Sequence, residues 1–372
     1  MRVLLAVAVL ASLSTACATS STTVRASGAI GARAMETDVD SELARRYLAL
    51  HGAQPSGDPT IDDVRARYDA MPLDRESLRA LSHETSPDFA TLYFCERVLS
   101  DPRNRALQTA VDDETEALKS GGRSVGEAPP SDVLVLVVPG YLYQTNPTSG
   151  ASLEREIAAL TGAGYAVERV LTLDDGTVEE NSLVVAERLR AARRERKRVV
   201  LVSGSKGGPE TAHALGVVLA PDETAHVVAW VSAGGLLRGT PAADDFTTGA
   251  KGVVVRAIMW ARLLDPDGLE SLTTEASTAR LSLARIPAHV FVVHYVAVPL
   301  SGQVSDDARD RYELLRRDGP NDGMGLLADE LIGGATVLEL GSDHYFRNND
   351  DQPLRTIAVA TVVLAHAREH TP

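Results

Sequence analysis

The sequence predicts an α/β fold: a mostly parallel sheet flanked by helices, preceded by a helical extension. Three observations carry this. From residue 131 onward, short apolar runs alternate with segments of helical periodicity. The runs are apolar at consecutive positions, as strands covered on both faces must be. Residues 38–120, by contrast, show three- and four-residue apolar spacing and no strand-like run, and Pro129-Pro130 mark the boundary between the two regimes.

Taken in order, the chain opens with Met1-Arg2, the apolar run Val3 to Leu13 and the small residues Ser14-Thr15-Ala16 before Cys17. A charged start, a short apolar stretch and a small-residue site make residues 1–17 a signal peptide. The run is too short to span a bilayer. Small residues before a cysteine resemble a bacterial lipobox, which makes Cys17 the expected lipidation site and a membrane-anchored, periplasmic or cell-surface lipoprotein the expected product. Ala16-Cys17-Ala18 also fits an ordinary cleavage site, which would give a soluble secreted protein. Residues 18–37, rich in Ser, Thr, Ala and Gly, read as a flexible tether. Residues 38–128 read as the helical extension, with periodic segments at Ser41–His51, Ile61–Ala70 and Ala90–Val98, the last containing Cys95 as a packed free thiol.

The main domain, 129–372, carries strand-like runs at Val133–Val138, Tyr165–Leu173, Val199–Val202, His226–Val231, Ala288–Val296 and Thr336–Leu340. Helical patterns fall at Leu153–Gly162, Glu179–Arg194, Gly208–Leu219, Asp307–Arg317 and Leu354–His366. A stretch at about 245–285 has no strand character and is expected to form a helical cap. Within it, Val255, Ile258, Met259 and Arg262 share a helical face, which makes Ile258 and Met259 candidate walls of a substrate pocket, or else part of a helix packed permanently on the core.

Function in such sheets sits where strands end at their carboxyl edge. Val199–Val202 runs into Ser203-Gly204-Ser205-Lys206-Gly207-Gly208 and then a helix. A small-x-Ser-x-small sequence suits a sharp strand-to-helix turn that presents Ser205 as a nucleophile, because larger side chains two residues either way would meet neighbouring backbone. Ser203 stands where the motif normally has Gly. A tight or phosphate-cradling turn is the alternative, although no Walker-type sequence is present. Downstream, Asp322 lies in Asn321-Asp322-Gly323-Met324, and His344 follows the last strand in Ser342-Asp343-His344-Tyr345. The order Ser, Asp, His is that of a hydrolase triad in which His344 accepts the Ser205 proton and Asp322 orients the imidazole. Asp306 and Asp343 are alternative acids, and His294 an alternative base.

With those segments in view, residues 131–350 resemble bacterial lipases and related esterases of the α/β-hydrolase superfamily. Asn321-Asp322-Gly323-Met324 looks like the segment bearing the catalytic Asp there. Arg238-Gly239-Thr240-Pro241-Ala242-Ala243-Asp244 is similar to a segment those enzymes carry after the strand that follows the nucleophile. Val138-Pro139-Gly140-Tyr141 occupies the place of their His-Gly oxyanion loop. The resemblance implies hydrolysis of an acyl ester or lipid substrate through an acyl-enzyme, with backbone N–H groups of Tyr141 and Lys206 as the oxyanion hole. The sequence departs from that pattern at Pro139, which replaces the usual His. It departs again at Phe346, which stands where many such lipases bind calcium, so no metal and no cofactor are expected. A thioesterase or amidase on the same triad, or a non-catalytic binding protein on the same scaffold, are the other readings.

Composition sets outer limits. In 372 residues, 44% are hydrophobic and 24% charged, enough for a sizeable core, and the formal net charge of −14 repels phosphate backbones, so nucleic acid is not an expected partner.

Overall fold

The computed structural model describes residues 23–121 and 129–369. Cys17 and the leader therefore lie outside the described residues. No helix among the described residues is long and apolar enough to cross a membrane.

The expected tether is the first correction. Val24–Ile30 (β1) and Arg33–Val39 (β2) form an antiparallel hairpin in full register, closed by a two-residue turn at Gly31, whose φ is +58°. Small residues disguise it as a linker. Its inward positions Ala26, Ile30, Met35, Thr37 and Val39 are nevertheless buried at strand spacing. Gly28 lets it approach so closely that a Cβ there would lie 2.1 Å from the Leu48 carbonyl oxygen.

Five helices follow: α1 (Glu42–Leu50), α2 (Pro59–Tyr68), α3 (Arg75–Glu84), α4 (Pro87–Ser100) and α5 (Pro102–Lys119). Each begins at a side-chain cap, Ser41, Asp58, Asp74, Ser86 and Asp101 in turn, which accepts from the first-turn N–H groups. These helices are no appendage. Tyr47, Phe89 and Phe94 share one core with Val296, Val298, Leu338 and Leu340 of the main sheet. Cys95 is buried there, and burial pushes its thiol well above the usual range.

The main sheet comprises β3 (Val133–Val138), β4 (Ala166–Arg169), β5 (Arg198–Gly204), β6 (Val227–Ala233), β7 (Phe291–Val298) and β8 (Ala335–Leu340). All pair in parallel in the order β4-β3-β5-β6-β7-β8. Helices α6 (Glu154–Gly162), α7 (Val178–Arg194), α8 (Gly207–His213), α13 (Asp306–Leu315) and α14 (Gln352–Glu369) fall where the periodicity puts them, with boundaries up to three residues away except at the end of α8. Helix α8 is shorter than expected, the chain passing into a wider turn at Ala214–Val218. The cap consists of α9 (Pro241–Thr247), α10 (Gly249–Ala261), α11 (Asp267–Glu270) and α12 (Thr274–Leu283).

The outer edge of β8 would expose unpaired backbone groups. Side chains of α5 cover it. Gln108 both accepts from the Leu338 N–H at 2.8 Å and donates to its carbonyl at 3.2 Å, and Asn104 accepts from the Thr336 N–H at 2.8 Å.

Candidate active site

Ser205 ends β5 at the turn into α8, and its φ of +52° is left-handed, a conformation that costs a non-glycine residue energy and persists where surrounding contacts impose it. Those contacts are visible. The Ser205 N–H donates to the Ala233 carbonyl at 3.0 Å, and the Ser205 carbonyl accepts from Gly208 and Leu236. Gly207 permits the turn, since a Cβ there would lie 2.6 Å from the Val138 carbonyl oxygen. The departure at Ser203 also has a physical account. Its hydroxyl accepts a 2.8 Å hydrogen bond from the indole N–H of Trp230 on β6, so a buried donor is satisfied where Gly would leave it without a partner.

His344 follows β8, and its Nδ1 lies 2.5 Å from Asp322 Oδ2. Asp322 is fully buried. Its other oxygen accepts from the N–H groups of Met324 and Gly325 at 2.8 and 2.7 Å, and its own carbonyl accepts from the His344 N–H at 2.9 Å. Backbone and carboxylate together fix the imidazole's position. Ser205 and His344 line one cavity of about 570 Å³, large enough to take a small-molecule ligand.

The alternative acids are not in this arrangement. Asp306 is fully solvent-exposed at the start of α13. Asp343 is buried but turns away, accepting from the N–H groups of Ser305 and Tyr345. His294 lies inside β7 rather than at its end. Its Nε2 accepts from the Ile332 N–H at 3.3 Å, and burial lowers its pKa to about 4.

Lys206 follows Ser205 in the chain, and Tyr141 lines the same cavity as Ser205. The Gly140 N–H donates to the Ala151 carbonyl and that of Leu142 to the Asp174 carbonyl, so hydrogen bonds hold the chain on either side of Tyr141. The Lys206 side chain is buried and paired with Glu210 one turn along α8, Asn181 donates to the same carboxylate at 2.8 Å, and the Tyr141 ring lies 5.9 Å from the ammonium. Burial pushes the Glu210 carboxyl up while Lys206 pulls it down. The spacing Lys206-x-x-x-Glu210 was readable in the sequence; its complete burial was not.

Ile258 and Met259 are the second correction. They do not line the cavity. The cap supplies Ala242, Ala243, Phe246, Leu269 and Leu272 instead. Of the face that periodicity identified on α10, Met259 is buried, Val255 and Ile258 are half-buried, and Arg262 is exposed. The helix rests on α9, with Gly252 so close that a Cβ would lie 2.3 Å from the Thr247 carbonyl oxygen. The opposite face of α10 leaves Val253 and Trp260 exposed to solvent. Sequence reasoning also missed Phe346, which lines the cavity and stacks on Tyr295 at 5.3 Å. Among the described residues no group of three or more His, Cys, Asp or Glu is placed to hold a metal ion.

No family model matches the chain, and no curated protein matches it. Solved structures do resemble it. One is a metagenomic carboxyl esterase, with a TM-score of 0.56 and 22% identity over 69% of this chain and 91% of that one. Another is a lipase of Bacillus licheniformis in its mature form, with a TM-score of 0.51 and 18% identity over 66% of this chain and 96% of that one.

Proposed function

Given that this chain has the α/β-hydrolase fold, we propose that it is a serine hydrolase of carboxylic esters, working through an acyl-enzyme. The observation that supports this most is the convergence of a left-handed Ser205 at a strand-to-helix turn with the His344–Asp322 pair around one cavity. In this reading His344 accepts the Ser205 proton as the hydroxyl attacks the ester carbonyl. The tetrahedral oxyanion is held by the N–H groups of Tyr141 and Lys206. His344 then protonates the departing alkoxide, and the same steps with water release the acid and restore Ser205. The Asp322 carboxylate stabilises the imidazolium that forms. The Lys206–Glu210 pair fixes the turn that presents the Lys206 N–H. A fluorophosphonate probe should label the wild-type protein at Ser205, read by peptide mass spectrometry; absence of any labelling on folded protein would remove the proposal.

The cap residues that line the cavity suit an acyl chain. Leu269→Asp should lower hydrolysis of long-chain esters roughly ten-fold more than that of short-chain esters, because one lost apolar contact in a pocket is worth about 1–3 kcal/mol. Ile258→Asp, away from the cavity, should leave the chain-length preference where it was. A chain-length panel on both variants checks this, and equal losses on all esters would detach Leu269 from the acyl site.

We also propose that the protein is exported and anchored to a membrane through lipid on Cys17. Several acyl chains on one terminus anchor stably, whereas one chain binds only marginally. Intact-mass analysis of the purified protein's N-terminus is the check. A mature chain beginning at unmodified Ala18 or Thr19 would overturn it.

A further inference from the structure

Glu330 lies in the short turn Leu327–Glu330, between the Asp322 loop and β8, and the mechanism above does not use it. It is 1% exposed, and neither carboxyl oxygen accepts a hydrogen bond from a donor among the described residues, while the Asp322 carboxyl is its side-chain neighbour. A fully buried carboxylate with no donor would be severely unstable. Its surroundings make ionisation worse. A point one Cβ from Gly325 is 3.9 Å from both Asp322 Oδ1 and Glu330 Oε1, so the two carboxyls share one small space behind His344.

No cation compensates. Among the neighbouring charged groups, Arg75 is engaged with Asp329, its Nε 2.8 Å from Oδ2. Arg238 spends its Nη1 on the carbonyls of Ala328 and Leu331. His294, on β7, accepts from the Ile332 N–H. Glu330 therefore faces two carboxylates, Asp322 and Asp329, and only the first lacks a cation partner other than His344.

We propose that Glu330 is held as the un-ionised acid and donates its O–H to the Asp322 carboxylate, making it a positioning residue for the triad. The inference rests on Asp322 being the triad acid. Burial, together with the neighbouring Asp322 and Asp329 charges, pushes the Glu330 carboxyl well above the usual range, as this arrangement demands. The O–H adds a further donor to a carboxylate already holding two N–H groups and the imidazole. It draws charge off Asp322, so the carboxylate keeps its place beside the imidazole and pulls less strongly on it. A neutral carboxylic acid serves this purpose where an ionised one would repel Asp322.

The test uses the full-length mature protein and two variants. Difference infrared spectra of wild type against Glu330→Gln at neutral pH should show the carbonyl band of a protonated carboxylic acid, lost in the variant. This readout needs no turnover, so it stands or falls separately from the ester hydrolase reading. Glu330→Gln keeps a neutral donor of the same shape and should retain kcat/KM within a few-fold. Glu330→Leu removes the donor and should move the acid limb of the kcat/KM profile upward by roughly half to one pH unit. A residue that merely fills space would change thermal stability and leave that limb in place. Absence of the acid band in wild type overturns the proposal, as does a Glu330→Leu acid limb coincident with wild type. If Glu330→Leu does not fold, the infrared comparison with Glu330→Gln decides alone.

Discussion

Ser205→Ala is expected to lower ester turnover by on the order of a million-fold while leaving the fold intact. The size follows from what the hydroxyl does. Without it no acyl-enzyme forms, and the remaining groups can only assist attack by water through the oxyanion donors and the bound geometry. The fold should tolerate the change, because Ala leaves every backbone contact of the turn in place: the bond to the Ala233 carbonyl and those from Gly208 and Leu236. It makes the left-handed φ of +52° neither easier nor harder to hold, so thermal stability should stay close to wild type. Turnover of a short-chain aryl ester, together with circular dichroism, separates lost chemistry from lost fold. Retention of most activity would move the nucleophile elsewhere.

Asp322→Asn should cost on the order of ten-thousand-fold in kcat. The amide fits the space, and its oxygen can still accept from the N–H groups of Met324 and Gly325. Its NH2 then faces His344 Nδ1, and a donor opposite that atom selects the tautomer with the proton on Nε2. In that tautomer the imidazole cannot take the Ser205 proton. The buried carboxylate that stabilised the imidazolium is lost at the same time. The rival position gives the contrast: Asp306→Asn changes a solvent-exposed side chain at a helix start and should be silent. An inactive Asp306→Asn beside an active Asp322→Asn would reverse the assignment. The kinetics should be read at saturating substrate, where the rate reports kcat.

How much of this was legible in the sequence differs by element for physical reasons. The strands β3 and β5 to β8 declare themselves because a strand covered on both faces must be apolar throughout, and Ser205, Asp322 and His344 could be placed by the ends of those strands. The hairpin β1–β2 was not legible. Its inward positions include Ala26, Gly28 and Thr37, small enough to resemble a tether, and what orders them is contact with α1, far from any local signal. Ile258 and Met259 show the limit of periodicity, which reports that a face is covered and not by what. Glu330 was invisible for a related reason. The adjacent acids in Ala328-Asp329-Glu330-Leu331 look like surface, and only the tertiary fold removes water from Glu330. Ser203 was legible as a departure from the expected motif but not as the acceptor for Trp230, a partner 27 residues away.

The shared core of the extension and the sheet's far edge sets an order of events for a chain made from its N-terminus. Tyr47, Phe89 and Phe94 are buried partly against Val296, Val298, Leu338 and Leu340, so their cover is synthesised last. Until β7 and β8 emerge, the first hundred residues hold an unfinished apolar surface and cannot complete their structure alone. Contacts of this sequence separation make folding slow and leave intermediates open to aggregation. A fragment ending before residue 290 should therefore be a substrate for chaperones and proteases rather than a small independent domain.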